Sequence, residues 1–299
     1  MRRTPRAALA VLLGASCLVG ALPLGAQPSE TPPAEAVAAT RHWLLFPDGT
    51  LYRPYLADPH RIAFALEFLG ADSGIAATGS ARFGLRVGGD FGIVRSRPRD
   101  PEGRVWQINF LGSLDAQFDV EESLDNIGWD GNFGTTVLTA KPGSRWAFRL
   151  GMLHTSSHRG DEYIERTGLG RVGYTREELV VGAQRELGER WRGYLEGAWA
   201  VTNNSDDGSQ EPARIQVGLV HETPDSLWNG RLGWYWAADA ATWEEREWRL
   251  DSALQIGLSL PSQGNVWRAG LSLADGRPPM GEFFQATETW VSLGIWLDL

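Results

Sequence analysis

The chain has 299 residues, with 14 tryptophans, a single cysteine and a formal net charge of −9 at pH 7. A single cysteine excludes a disulfide framework, and the acidic balance argues against nucleic acid as a partner. Because no Pro/Gly/Ser-rich linker divides the sequence, we expect one large domain.

The N-terminus has the order of a secretory signal peptide. An apolar run over residues 7 to 24 ends in small residues and follows three arginines, Arg2, Arg3 and Arg6. This order predicts that residues 1–26 form a signal peptide, cleaved after Ala26. Residues 27–61 are then predicted to be a lead-in on the periplasmic side, and export removes the cysteine and makes the chain more acidic.

The rest of the sequence alternates between apolar and polar residues. From residue 106 to residue 120 the even positions are mainly apolar and the odd positions mainly polar, which is typical of a strand with one face in lipid. Similar segments lie near residues 62–69, 82–94, 133–140, 145–156, 174–187, 191–201, 214–222, 231–239, 248–260, 267–274 and 287–299. The fold class predicted for residues 62–299 is therefore all-β, a transmembrane antiparallel up-and-down β-barrel of about 12 strands in the cell outer membrane. A break at Gly88-Gly89 would change the strand count.

The connections between these segments alternate in length. Short turns are predicted at 141–144, 188–190 and 261–265, and longer connections at 121–132, 157–173, 202–213 and 275–286. Short turns of such barrels face the periplasm, so both chain ends are predicted to lie there. Two aromatic girdles are predicted at the strand ends, one from Trp106, Trp146, Trp191 and Trp267 and one from Tyr174, Trp248 and Trp290. The alternative is that the tryptophans fill the core of a soluble protein.

The polar face of the strands would line the lumen, and a barrel of this size can be filled by its side chains without leaving a wide pore. A network of ion pairs is predicted there from Arg82, Arg86, Gln107, Asp115, Asp119, Arg149, Glu178, Arg192, Glu196, Arg231, Arg249, Asp251 and Arg268. The final strand places apolar residues at alternate positions up to Leu299. It resembles the C-terminal targeting strand of outer-membrane proteins, which implies the barrel-assembly machinery and outer-membrane lipid as partners.

The densest reactive chemistry lies between residues 154 and 162. His154 and Ser156 are two residues apart and share the apolar face of their strand, and a hydroxyl beside an imidazole is the minimum for nucleophilic ester cleavage. The segment is similar to the His-x-Ser motif of outer-membrane lipid A deacylases. That resemblance implies His154 as base, Ser156 as nucleophile and Glu177 as the orienting acid, with Glu162 as the alternative acid. The alternative, structural interpretation is that His154, Ser156 and His158 mark the end of the apolar band and hydrogen-bond to Asp161 and Glu162 in the next connection.

Over most of its length the sequence resembles an uncharacterised family of outer-membrane-like proteins, domain of unknown function 1207. The resemblance is carried by Leu56-Ala57-Asp58-Pro59, by residues 154–162, by Asp275-Gly276-Arg277 and by Gly281-Glu282-Phe283-Phe284. Two functions stay open: a non-enzymatic barrel with a structural, permeability or surface-interaction role, or a lipid-directed esterase at the outer leaflet. No cofactor is expected, and the small-molecule ligand is unknown. A metal site from His154, His158, Asp161 and Glu162 is a further alternative, but these residues lack a standard zinc spacing, so no metal is predicted.

Overall fold

Strands make up most of the chain. The computed structural model describes residues 42–299 except 73, 98–101, 207–210, 263 and 299, so the predicted signal peptide and Leu299 lie outside the described residues. The strands are β1 (Trp43–Leu45), β2 (Phe64–Ala71), β3 (Ala81–Ser96), β4 (Val105–Asp119), β5 (Asp125–Ala140), β6 (Trp146–Arg159), β7 (Thr175–Glu186), β8 (Trp191–Asn204), β9 (Ala213–Leu227), β10 (Leu232–Trp243), β11 (Leu250–Ser262), β12 (Asn265–Gly276) and β13 (Glu288–Asp298).

Strands β2 to β13 close into a barrel. Each strand pairs antiparallel with the next, and β13 pairs back with β2 from Trp290↔Ala71 to Leu297↔Phe64. Closure gives the backbone N–H and C=O groups of every strand a partner, which a sheet needs in a solvent without hydrogen-bonding groups. The short β1 pairs with the end of β3 that extends beyond β2. The predicted all-β barrel with twelve strands is thus confirmed within the described residues.

One strand boundary differs from the prediction, and the alternative of a broken third strand is not observed. The connection predicted at 121–132 is wrong, because β5 already begins at Asp125 and pairs with β4 along its whole length. Its polar and glycine-rich start resembles a loop in sequence, but cross-strand pairing determines its conformation. Strand β3 is not broken at Gly88-Gly89. A Cβ at Gly88 would lie 2.1 Å from the carbonyl oxygen of Gly112, so glycine lets the two strands approach closely.

The two ends of the barrel carry different connections. At one end, tight turns join β5 to β6, β7 to β8 and β9 to β10. At the other end lie the helix α1 (Asp161–Thr167) and two 3₁₀ turns, Glu244–Arg246 and Gly281–Phe283. The predicted alternation is therefore present for three of the four long connections, whereas the β4–β5 connection is as short as the β5–β6 turn. None of the helices in the described part of the chain combines the length and apolar character needed to cross a bilayer.

The outer wall is apolar over the middle of the barrel. The tryptophans at the tight-turn end, Trp106, Trp146, Trp191 and Trp267, are all exposed on it, as the girdle prediction requires. The second predicted girdle is partly wrong. Trp248 is exposed, but Tyr174 and Trp290 are buried on the inner side. Trp290 has the same parity as the inward-facing Ser292, so its position at a strand end did not determine its direction.

Charged side chains fill much of the lumen. Glu178 contacts Arg176 at 2.7 Å and Arg214 at 2.9 Å, while Glu245 contacts Arg176 at 2.9 Å and Arg277 at 2.7 Å. These chains are buried, so each charge needs the others to compensate for its desolvation. Most of the predicted ion-pair network is present. Arg192 instead donates to the carbonyl of Pro54 at 3.1 Å, and Gln107 donates to Asn109 at 2.7 Å. Arg231 and Arg249 are exposed, because both lie in connections just before a strand begins.

A segment before the barrel occupies part of the lumen. Residues 46–63 are here called the lumenal strap; its Tyr52, Tyr55 and Leu56 are buried in the main core cluster, whereas Phe46 at its start is exposed. The ring of Tyr55 stacks on Tyr194 with centroids 3.8 Å apart, and the guanidinium of Arg86 donates to the carbonyl of Pro59 at 2.7 Å. The sequence predicted only a lead-in here, and the structure places part of it inside the lumen.

Candidate active site

Strand β6 presents alternate residues to the two sides of the barrel near its long-connection end. His154, Ser156 and His158 share the outer face, where Leu150 and Met152 are exposed on the same strand. The intervening Thr155 points into the lumen and donates to Asn132 at 2.8 Å. Successive side chains of a strand point to opposite faces, so residues two apart share a face. The candidate residues therefore lie on the same outer face as the apolar residues of the wall.

The structure brings the predicted residues onto one patch of the outer wall. His154 faces Phe133 on β5 and Glu177 on β7 in the strand register, and Ser156 faces Thr175. The Nδ1 atom of His154 lies 3.5 Å from the Oε1 atom of Glu177. The predicted pairing of this histidine with Glu177 is therefore geometrically present, with both side chains partly exposed.

The serine hydroxyl has a different imidazole beside it. The Oγ atom of Ser156 lies 3.1 Å from the Nε2 atom of His158, two residues further along the strand. The described residues show no hydrogen bond between Ser156 and His154. Sequence reasoning considered His158 as a strand-end residue and did not give it a catalytic role. Its spacing of two from Ser156 was the signal that could have identified it, because that spacing is the same as between His154 and Ser156.

Aromatic rings hold both imidazoles against the wall. The ring of His154 stacks on Phe133, with centroids 4.4 Å apart and an interplanar angle of 29°. The ring of His158 lies 4.3 Å from Trp129 at 35°. Both aromatic residues belong to β5, one directly opposite each histidine. Such contacts restrict the imidazoles to a few orientations, so Ser156 lies between two histidines whose positions are defined.

Glu162, the alternative acid, lies elsewhere. It is an exposed residue in the first turn of α1, and nothing in the described part of the chain connects it to His154 or Ser156 by a hydrogen bond or an ion pair. The described residues contain no group of three or more His, Cys, Asp or Glu side chains placed to hold a metal ion. Of the two acids considered from the sequence, Glu177 is the one beside an imidazole.

Buried hydrogen bonds fix the end of β6 from the inside. Ser157 donates to Asp130 and accepts the backbone N–H of Glu282 at 2.8 Å. The carboxylate of Glu282 in turn accepts the backbone N–H groups of Val172 and Gly173 at 2.7 and 2.9 Å. The Gly281-Glu282 motif thus ties the long connections to β6, and its role is to hold the strand that carries the site.

Tyr174, just before β7, completes this support. Burial raises the pKa of its phenol, which keeps its proton and donates to Glu245 at 3.2 Å. A side-chain carbon at Gly281 would lie 2.7 Å from the Tyr174 ring, so glycine allows the connection to pack against this tyrosine. At the long-connection end, the barrel wall is therefore packed on its lumenal side, while His154, Ser156 and His158 lie on its outer side.

Solved structures with the same architecture place this barrel in a class. Outer membrane phospholipase A from Escherichia coli is 14% identical, covers 83% of this chain and 94% of its own, and has a TM-score of 0.50. The Salmonella typhi outer membrane phospholipase, solved as a dimer with bound calcium, is 12% identical over the same shares, with a TM-score of 0.51. At these identities the similarity shows the fold alone. The chain has the fold of an outer-membrane β-barrel.

The family follows from the sequence. The chain belongs to the protein family of unknown function DUF1207, whose model matches residues 25–297. The resemblance inferred from the sequence motifs is thereby confirmed. None of the curated protein sequences matches the chain.

Proposed function

We propose that the protein is an outer-membrane hydrolase that cleaves ester bonds of lipids at the outer leaflet, with Ser156 as the nucleophile. The observation that carries this proposal is the 3.1 Å contact between the Ser156 hydroxyl and the His158 imidazole on an apolar outer wall. A serine facing this way meets lipid rather than the lumen. An adjacent general base is what a serine hydroxyl needs to become a nucleophile.

The height of Ser156 on the wall supports a lipid substrate. From Trp146 to Ser156, β6 extends about 33 Å at roughly 3.3 Å per residue. A strand tilt of about 40° reduces this to a height of roughly 25 Å, the thickness of the apolar band of such barrels. With Trp146 at the periplasmic boundary, Ser156 lies at the outer boundary. Acyl chains would lie along the exposed side chains below it, Leu150, Met152, Leu179 and Val181.

The reaction follows from these atoms. The Oγ atom of Ser156 adds to the ester carbonyl carbon while its proton passes to Nε2 of His158. Collapse of the tetrahedral intermediate breaks the ester C–O bond, and the same imidazole returns the proton to the leaving alcohol. A water molecule, deprotonated by His158, then adds to the acyl carbonyl carbon. The C–O bond to Ser156 breaks, its Oγ atom recovers the proton from His158, and a fatty acid is released. His154 and Glu177 act as a positioning pair, because the carboxylate fixes the imidazole on the other side of the nucleophile.

Lipid analysis tests this function directly. The full-length protein is produced in a Gram-negative outer membrane, and the phospholipids and lipid A are compared by mass spectrometry with those from Ser156→Ala. We expect free fatty acid and deacylated lipid with the natural chain and neither with the variant. Thr175→Val is the matched control, since it removes a hydroxyl from the residue opposite Ser156 in the register. Identical lipid profiles for natural chain and Ser156→Ala would refute the esterase.

The two histidines can be separated by the same assay. Because His158 is the imidazole beside the hydroxyl, we expect His158→Ala to lose more activity than His154→Ala. The reverse order would support the triad implied by the sequence resemblance, in which Ser156 turns towards His154 and Glu177 orients that base.

A non-enzymatic role is the second candidate, and the lumenal strap bears on which one. Strap and ion pairs occupy much of the barrel interior, which favours a structural or surface role over a permeability role. We expect that vesicles containing the protein will not swell when they are placed in solutions of small sugars. Solute flux at the rate of an open porin would support the permeability role instead.

Export and assembly are part of the same proposal. Cleavage after Ala26 would make Gln27 the first residue of the protein isolated from the outer membrane, which N-terminal sequencing checks. The outward side chains of β13, Val291, Leu293 and Ile295, are exposed and would be read by the barrel-assembly machinery. We expect Leu293→Asp to reduce the amount of assembled barrel.

A further inference from the structure

The lumen contains a cavity between the lumenal strap and the connections at the long-connection end. Its volume is about 160 Å³, and residues of the strap, of the strands and of the 275–279 connection line it. This cavity, here called the chamber, is comparable in volume to a protein cavity of about 150 Å³ that accommodates one six-membered ring. Ser156 and His158 of the proposed ester site do not line it, whereas His154 does, so the chamber and the outer patch share that one residue.

Two aspartates that line the chamber each have one carboxylate oxygen that is paired and one that has no hydrogen-bond partner in the described protein. The Oδ2 atom of Asp115 contacts Arg86 at 3.3 Å and Asn132 at 3.2 Å, while its Oδ1 atom has no hydrogen-bond partner in the described protein. The Oδ1 atom of Asp251 accepts the backbone N–H of Arg277 at 2.9 Å, and its Oδ2 atom has none. Each is buried, so an unpaired oxygen there is costly.

Hydrogen-bond donors around the chamber are likewise partly paired and partly without a partner in the described protein. Arg277 gives one terminal nitrogen to Glu245 at 2.7 Å, and Arg149 gives one to Glu196. The Nε–H groups of both arginines, and the indole Nε1–H of Trp243, have no partner in the described protein. The chamber is thus surrounded by side chains that are anchored at one atom and unpaired at another, both donors and acceptors.

The charges of the chamber indicate what it can bind. Its guanidiniums are already compensated: Arg214 contacts Glu178 at 2.9 Å and Glu196 at 3.0 Å, and Arg149 and Arg277 each contact a glutamate. No described trio of His, Cys, Asp or Glu is placed to hold a cation. An anion would find no uncompensated arginine, and a metal ion no ligand set. A hydroxyl group, which both donates and accepts, fits unpaired groups of both kinds.

We propose that the chamber is a binding site for a neutral polyhydroxylated ring of about the size of one hexose, such as a sugar unit or a cyclitol. The proposal does not depend on the esterase, because it uses the inner face of the barrel. A ligand here would bridge the strap to the strands and the outer connections, and would therefore also stabilise the closed lumen.

Calorimetric titration of the refolded full-length protein in detergent tests the chamber. The probes are D-glucose, D-galactose and myo-inositol, with D-glucuronate and D-glucosamine as charged counterparts. We expect at least one neutral probe to bind, and the charged probes to bind more weakly. Binding of none of the neutral probes would mean that water alone fills the chamber and would overturn the proposal. Tighter binding of either charged probe would overturn the assignment of a neutral ligand.

Conservative variants connect the binding to the chamber. Trp243→Phe keeps a ring but removes the indole donor, and Asp251→Asn keeps the oxygen that accepts from Arg277. We expect either change to weaken binding about tenfold, as the loss of one buried hydrogen bond does. Trp199→Phe, on the exposed outer wall, is the matched control and should bind normally, as should Ser156→Ala.

The outcome stays interpretable if one variant folds poorly. Far-UV circular dichroism and the mobility of unheated protein in detergent gels report whether each barrel is intact, and the second variant then carries the test. Unchanged affinity in both folded variants would place the probe outside the chamber and overturn the proposal.

Discussion

The two faces of β6 carry similar side chains in different surroundings. On the inner face, Ser157 is fully buried, donates to Asp130 and accepts from the backbone of Glu282. On the outer face, the partly exposed Ser156 contacts the imidazole of His158 on its own strand. The inner hydroxyl serves the structure, so its neighbour on the outer wall is the one available for chemistry.

Strand β7 repeats the comparison with carboxylates. Glu178 points inwards and contacts Arg176 and Arg214 in the lumen, whereas Glu177 points outwards and lies beside His154. One residue of register separates a structural acid from a candidate positioning acid. Adjacent residues on β6 and β7 therefore form natural pairs for mutagenesis. Changing the outward residue should reduce ester hydrolysis, whereas changing the inward residue should reduce stability.

The largest effect is expected at the nucleophile. Ser156→Ala should reduce the rate of lipid ester hydrolysis about a thousandfold or more, because the attacking oxygen is lost, while the unfolding free energy changes by less than about 0.5 kcal/mol. Rates of fatty-acid release and urea unfolding in lipid vesicles measure the two quantities. Near-normal rates in Ser156→Ala would show that the outer face of β6 does not carry out ester hydrolysis.

The next largest effect is expected for the inner carboxylate. Glu178→Ala leaves two buried guanidiniums without one of their partners and should lower the unfolding free energy by about 3 kcal/mol or more. Its matched control is Glu177→Ala, which should leave stability nearly unchanged and reduce ester hydrolysis. Tryptophan fluorescence during urea unfolding follows the first effect. Equal stability losses in the two variants would contradict the division between the faces.

A smaller stability effect is expected at the inner hydroxyl. Ser157→Ala leaves the carboxylate of Asp130 and the N–H of Glu282 short of a partner, which should cost about 1–3 kcal/mol. Because this bond holds the 281–284 connection, protease cleavage there should become faster. Ser156→Ala is the control, and faster cleavage in both variants would show that the two serines share a structural role.

The smallest effect is expected in the lumenal strap. The phenol of Tyr55 donates to Glu196 at 3.1 Å and contacts the hydroxyl of Tyr52 at 2.7 Å. Tyr55→Phe keeps the stacking on Tyr194 and should cost about 1 kcal/mol, the net contribution of one hydrogen bond. The same urea series measures it. No loss at all would show that these hydroxyls are not needed to hold the strap.

The barrel could be predicted from the sequence because alternation is a local property. Each strand has a period of two that follows from the backbone alone, so the twelve strands and the outward tryptophans such as Trp146 were predicted correctly. The start of β5 was not, because cross-strand pairing decides it. Trp290 was assigned outwards from its position at a strand end, although its parity places it inwards. The strap was missed because residues 46–63 do not alternate, and only the closed barrel around them makes Tyr52 and Leu56 core residues.

For the candidate site, the sequence predicted the residues and the structure added their neighbours. His154, Ser156 and Glu177 were expected on one face, since parity places them there, and the structure brings His154 to Glu177. The spacing of two places His158 on the same face as Ser156, but the contact between them also depends on side-chain rotation, which the sequence does not determine. The aromatic residues that pack on both imidazoles come from β5, whose start had been interpreted as a connection.

The central claim is that the outer face of β6 hydrolyses lipid esters, and the most direct measurement is the release of fatty acid from outer-membrane phospholipid and lipid A by the purified barrel. The account predicts release by the natural chain and by Thr175→Val, and none by Ser156→Ala. Equal release by Ser156→Ala and the natural chain, or no release by any of them in membranes that contain intact barrels, would contradict it.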